Sequence, residues 1–276
     1  MTRALVVAAA LAATACSPRL MKLPVGSGSV ATLQDATAAL AQATEACAKV
    51  RTLTAEVAVS GSVSGQRVRG RLSVGVAAPA SARVEAVAPF GPPVFIFTAV
   101  GDDATIFLPR DERILEHGRP DAVLEAIAGI PLDAADLDRT LTGCDSVPSV
   151  VGGGSTATQF GATWLAFRSA SSDVYLRRGT ATEPWEVVSA ERRSSRAGVR
   201  WRAEYADRQN GIPRSIRLIS LDDAGRSGRA FDLRLALSQV EIDTPLDADV
   251  FAIVVHGNVK RMTLDELRRS GAFGVQ

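Results

Sequence analysis

Any chemistry in this chain has to come from few side chains: three cysteines and two histidines in 276 residues. Cys16 closes an apolar run, whereas Cys47 and Cys144 stand far apart, outside any paired metal-binding spacing. In an oxidising compartment such a lone pair is a disulfide candidate. Both also lie on apolar faces, where two buried free thiols are equally at home. His117 ends an expected strand beside Gly118 and reads as a surface turn, and His256 has no second ligand at metal spacing. Asp102-Asp103 and Asp222-Asp223-Ala224-Gly225 fall where hairpins should turn, positions that aspartate favours through its local hydrogen bonding. No HExxH, nucleophile elbow or phosphate-binding loop occurs, because Gly152-Gly153-Gly154 is followed by Ser155 and Thr156 without a lysine. The inventory argues against an enzyme, a metal centre and a cofactor. A hydrolase would need a nucleophile, base and oxyanion site that these residues do not assemble.

Two other groups could act without catalysis. Pro89-Phe90-Gly91, continued by Pro92-Pro93, is a rigid turn that either presents an aromatic ring outward, as membrane- and partner-contacting residues are presented, or folds it back to plug one end of a sheet. Arg192, Arg193, Arg196, Arg200 and Arg202 could meet anionic headgroups or phosphate. Such a group is more often the solvated face of a hairpin.

The N-terminus has its own pattern. Met1-Thr2-Arg3 sets one positive charge ahead of an apolar run, Ala4 to Ala15, too short to span the roughly 30 Å of a bilayer core as a helix. A charged start, a short apolar stretch and small residues at its end make a secretory signal peptide over residues 1–15. Ala13-Thr14-Ala15-Cys16 resembles the bacterial lipobox, which implies cleavage before Cys16 and acylation of that cysteine. Ser17 rather than aspartate follows, which in the sorting logic of such proteins favours the outer membrane. Residues 16–30, with Pro18, Pro24 and Gly26-Ser27-Gly28-Ser29, read as a lipidated end and flexible tether. Arg3 leaves with the first 15 residues, and the remainder is balanced at 30 positive and 30 negative side chains. That balance gives no reason to expect nucleic acid as a partner.

What must position these groups is mostly sheet. From Ala31 to about Arg51 the apolar period is helical, with Leu33, Leu40 and Cys47 seven apart. From Thr52 the period becomes two, and strands follow through His117. Two short helices come next, Pro120 to Ala128 and one starting at Asp133, a good N-cap. Strands then resume from Thr163 to Ile242, most clearly where Val199, Trp201, Ala203 and Tyr205 alternate with Arg200, Arg202 and Glu204. One apolar and one polar face is the pattern of an antiparallel sheet with one solvated side. Eleven or twelve strands interrupted once by a helical pair favour one large curved sheet or barrel, with a last helix from Thr263 to Ser270.

In this order the elements resemble the LolA/LolB-like superfamily of periplasmic lipoprotein carriers and receptors. The likeness is tightest from Gly70 to Gly143. There Gly70-Arg71-Leu72-Ser73 leads through Arg83-Val84-Glu85 to Ala88-Pro89-Phe90-Gly91, and Leu124 to Leu132 is similar to the family's lid segment. The resemblance implies a mainly β (α+β) domain over residues 31–276: a single curved antiparallel sheet forming an unclosed barrel of about 11 strands with covering helices, and a C-terminal extension over residues 243–276. It implies an apolar concavity for acyl chains of lipoproteins or lipids, a lipid anchor on the outer membrane facing the periplasm, a periplasmic carrier protein as partner, and no cofactor. By the match of Pro89-Phe90-Gly91, it implies that Phe90 promotes insertion of cargo into the membrane. The alternative is a non-catalytic envelope scaffold using the same fold to bind a protein, which a concavity filled by large side chains would favour.

Overall fold

Period-two stretches can bury their apolar side only by pairing into one sheet, and in the computed structural model they do. The structure describes residues 20–144, 155–193, 199–255 and 257–270. Among them fifteen strands form a single sheet. The first half is a meander of β2 (Thr52–Val63), β3 (Gln66–Ala77), β4 (Ser81–Val87), β5 (Ile96–Val100), β6 (Asp103–Leu108) and β7 (Arg113–Gly118). The second half is a meander of β8 (Thr156–Phe160), β9 (Trp164–Arg168), β10 (Ser172–Arg177), β11 (Glu186–Arg193), β12 (Arg200–Gln209), β13 (Ile212–Leu221) and β14 (Ser227–Ile242). Antiparallel pairing of β14 with β2 joins the halves. Two-residue strands β1 (Ser29–Val30) and β15 (Lys260–Arg261) extend the two ends, β15 in parallel to β7. β7 and β8 do not pair, so the curved sheet stays an unclosed barrel. The count exceeds the expected eleven or so because β1, β8 and β15 carry too few apolar residues to announce themselves.

Among the described residues four α-helices complete the fold: α1 (Leu33–Thr44), α2 (Pro120–Ala128), α3 (Ala134–Thr142) and α4 (Leu264–Ser270). Thr32 caps α1 through the Asp35 amide at 3.2 Å, and Asp133 caps α3 through the Asp136 amide at 2.7 Å. Thr263 and Glu266 bond each other's backbone amides at the start of α4, a reciprocal capping box. α1 is shorter than its apolar period suggests. It ends at Thr44, and a 3-10 turn over Cys47–Lys49 carries the chain into β2. The buried face of α1 is Ala36, Ala39 and Leu40, while Leu33 is 52% exposed.

The stretch expected to be a free tether is partly built into the fold. Ser29 and Val30 pair with Gln159 and Thr158, and the Met21 amide donates to Glu204 at 2.9 Å. At the other end the extension from Asp243 crosses the outside of the sheet, where Arg83 donates to the carbonyls of Val250 at 2.8 Å and Ala252 at 3.2 Å. Every described strand and helix lies between Ser29 and Ser270.

Candidate functional site

The concave side of the sheet is apolar from strand to strand. Val57 and Val59 on β2, Leu72 and Val74 on β3, Val84 on β4, Leu218 on β13 and Leu233 and Leu235 on β14 face one space. α2 and α3 lie over it, contributing Leu124, Ala128, Leu137 and Leu141, with Ile130 and Leu132 from their connection. A cavity of about 90 Å³ remains, lined by apolar residues throughout. Such a cavity offers no polar partner to water, and apolar cavities stay dry.

The cover is held at defined points. Gly129 ends α2 in the left-handed conformation (φ 70°), and a Cβ there would come within 2.6 Å of Val63 Cγ1. The close approach seats α2 against the end of β2. α3 is latched to the sheet by Arg192 of β11, whose guanidinium donates to Asp136 at 2.9 Å and lies 5.4 Å over the Trp201 ring. Burial pulls the Arg192 guanidinium below its ordinary range. Just past the C-cap Gly143, Cys144 is joined to Cys47 as a disulfide with α-carbons 5.4 Å apart. The trailing end of α3 is therefore tied to the turn after α1.

Two carboxylates on this cover are held above their usual range. Burial does so for Asp138. For Asp133 burial is the larger cause and the neighbouring Asp136 charge the second. A carboxyl with a raised folded pKa weakens the fold when ionised, so stability returns as pH falls through that value. Asp138→Asn is expected to raise the melting temperature slightly at pH 7 and to lose that advantage once Asp138 is protonated in both states. Calorimetry across pH 3.5–7 checks it, and an advantage unchanged at low pH would contradict the burial account.

The loop between β4 and β5 presents its tip to solvent. Phe90 is 90% exposed and does not plug the sheet. Gly91 has φ 79°, a conformation that a side chain disfavours. Val87, just before the loop, is also exposed. The arginine group is not a solvated hairpin face, contrary to expectation. Besides Arg192, Arg193 pairs with Asp173 at 3.0 Å, and Arg202 with Glu191 at 2.6 Å, both Arg202 and Glu191 being buried. Arg200 also reaches Glu191, at 3.5 Å. The group reads as polar in sequence because nothing there shows the carboxylates that face it across the strands. His117 is exposed but lies in β7 rather than in a turn, with a left-handed backbone (φ 58°) and 3.2 Å from Asp103. No cluster of three or more metal-ligating side chains occurs among the described residues. Cys16, Arg196, His256 and the Gly152-Gly153-Gly154 loop lie outside the described residues.

No protein-family model and no curated protein matches the sequence. Solved structures match the fold. The LolA superfamily protein NE2245 from Nitrosomonas europaea aligns with a TM-score of 0.52 at 14% identity, over 79% of this chain and 97% of that one. A DUF1329 family protein from Desulfovibrio piger aligns with a TM-score of 0.46 at 11% identity, over 79% of this chain and 97% of that one.

Proposed function

From the LolA-like fold of this chain, we propose that it is a bacterial envelope lipoprotein that takes acyl chains of lipoproteins or lipids into the cavity under α2 and α3 and helps transfer them into the outer membrane. The observation that carries this reading is the wholly apolar lining of the concavity, with a cover made of two short helices rather than further strands. Burial of a chain methylene there is worth about 0.8 kcal/mol, so no cofactor or catalytic group is needed. Residues 1–15 direct export, Cys16 carries the lipid anchor, and the exposed Phe90 tip, stiffened by Pro89 and turned by Gly91, enters the bilayer surface as cargo passes. A periplasmic carrier protein delivers that cargo. No described helix is long and apolar enough to cross a membrane.

The cavity is small as it stands. An apolar cavity of about 150 Å³ is what accepts a benzene, and this one is near 90 Å³. An acyl chain therefore enters only when the cover lifts or its leucines re-pack. The same fullness favours the second reading, an envelope scaffold that binds a protein and no lipid. The two separate on one experiment with the polypeptide from Ser17 onward. Native mass spectrometry after mild extraction should find co-purified lipid or lipopeptide, and a fluorescent fatty acid should bind saturably. Leu137→Trp, which fills the cavity from the cover, should abolish uptake while the fold still melts cooperatively. An empty protein that never takes up the probe would leave the scaffold reading standing.

A further inference from the structure

The outer face of the sheet is covered unevenly. The segment after Asp243 lies across it near β4 and β5, where Arg83 holds the Val250 and Ala252 carbonyls. The N-terminal segment lies across it at β12, where Met21 bonds Glu204. Between them β14 and the parts of β2 and β3 toward the β2–β3 turn are exposed, while the other ends of β2 and β3 lie under Thr244 and Leu246. On β3 the even residues Val68, Leu72 and Val74 line the cavity, so alternation turns Arg67, Arg69 and Arg71 outward, and all three are exposed. Arg234 on β14 is exposed on the same face. None of these four makes an ion pair or side-chain hydrogen bond among the described residues. The acidic neighbours on that face are Asp232, held by Arg217 at 2.8 Å, Glu85 of β4, held by Arg83 at 2.6 Å, the half-buried Glu56 further along β2, and the exposed Glu241 opposite Thr54 at the far end of β14.

Register ties this patch to two other features. One row of directly paired residues runs Glu204, Arg217, Arg234, Ser60, Arg69. At about 4.8 Å per strand, Arg69 lies roughly 19 Å from the residue on which Met21 is docked. Arg71 in turn pairs with the exposed Val87, which leads into the Phe90 loop, and Arg110 reaches the Phe90 carbonyl at 3.5 Å. An apolar tip, a strip of unpaired guanidiniums and the emerging N-terminal segment thus share one side of the molecule.

We propose that this outer strip, Arg67, Arg69, Arg71 and Arg234, is a docking surface for anionic lipid headgroups that holds the barrel flat against the bilayer with the Phe90 tip at its edge. The proposal rests on the envelope-lipoprotein reading for its setting but not on the cavity. Charge complementarity supplies the occupant: guanidiniums without protein partners suit phosphate oxygens, which they bind in pairs of hydrogen bonds. Chain length agrees, since a lipid on Cys16 is separated from Met21 by at most about 18 Å of extended chain.

The test uses the polypeptide from Ser17 onward, which keeps every described strand and helix, floated with vesicles of phosphatidylcholine alone or doped with phosphatidylglycerol. Binding is expected only with the anionic lipid, falling steeply with salt. Each arginine near the surface is worth about fivefold in partitioning, so Arg67→Gln, Arg69→Gln and Arg71→Gln together should weaken binding by well over tenfold, while lysine at all three positions should retain most of it. Fluorescent fatty-acid uptake should be unchanged in the glutamine variant, so failure of the cavity reading would show in that assay alone. Equal binding to neutral vesicles, no binding to either, or a glutamine variant that binds as well as the parent would overturn the proposal. So would partitioning to an acidic protein with none to the vesicles.

Discussion

Reducing the protein, or replacing Cys144 by serine, should lower its melting temperature by about 10 °C. Cys47 and Cys144 are 97 residues apart, and a crosslink across a loop of that size removes roughly 4–5 kcal/mol of conformational freedom from the unfolded chain. At 2–4 °C per kcal/mol for a domain this large, the full figure corresponds to roughly 8–20 °C, and a partial return on it to about 10 °C. The double variant, Cys47→Ser with Cys144→Ser, should melt where the single one does, because the bond is lost once. Function should move the other way. Cys144 follows the last turn of α3, so a reduced protein has a looser cover and should take up the acyl probe faster. Differential scanning fluorimetry with and without reductant reads the first effect and stopped-flow fluorescence the second. Coincident melting curves would mean that the two thiols are not joined in solution.

Arg202→Met should cost about 3–5 kcal/mol, among the largest effects of any single side-chain change outside the apolar core. Arg202 donates to Glu191 through Nε at 2.9 Å and Nη2 at 2.6 Å, and both residues are buried. Removing one partner leaves a desolvated carboxylate, which is far worse than removing both. Arg200, at 3.5 Å from the other Glu191 oxygen, offers some relief, so the lower half of the range is expected. Combining Arg202→Met with Glu191→Gln should restore most of the loss. Urea midpoints of the two singles and the double measure it. A single variant within 1 kcal/mol of the parent would show that solvent reaches the pair. Those arginines sit outside the barrel beneath the Met21 segment, and their role is to hold that segment and three strands together.

How much of this was legible beforehand depends on the range of the interaction. The order of strands and helices followed from local period: Trp201, Ala203 and Tyr205 point inward, and α2 and α3 have the bounds their caps dictate. Phe90 was named from its turn chemistry, but only the fold decides between tip and plug. Long-range partners could not be read. Glu191 and Arg202 sit on neighbouring strands, Asp136 and Arg192 on a helix and a strand 56 residues apart, and no single-sequence pattern joins them. The C-terminal end of the expected tether departs from a free chain for a related reason. Glycine and serine give the segment freedom, yet Ser29 and Val30 meet an open strand edge in β8, and an unpaired edge takes whatever chain reaches it. The cavity is a similar case: its walls come from seven elements, each contributing one to three ordinary valines or leucines.

The seam between β14 and β2 sets the schedule on which the molecule can be made. Glu56 and Ser238 meet there across 182 residues of chain, and neither half-sheet has its full complement of strands until the other arrives. Pairing over such separations is slow, so a chain that emerges N-terminus first presents β2 as a raw edge until nearly its last strand has followed. A stalled or truncated product lacking β14 would carry two open edges, β2 and β13, each an invitation to pair with another unfinished copy. The quality of the folded protein is therefore decided near its C-terminal end, by the strand that closes the seam.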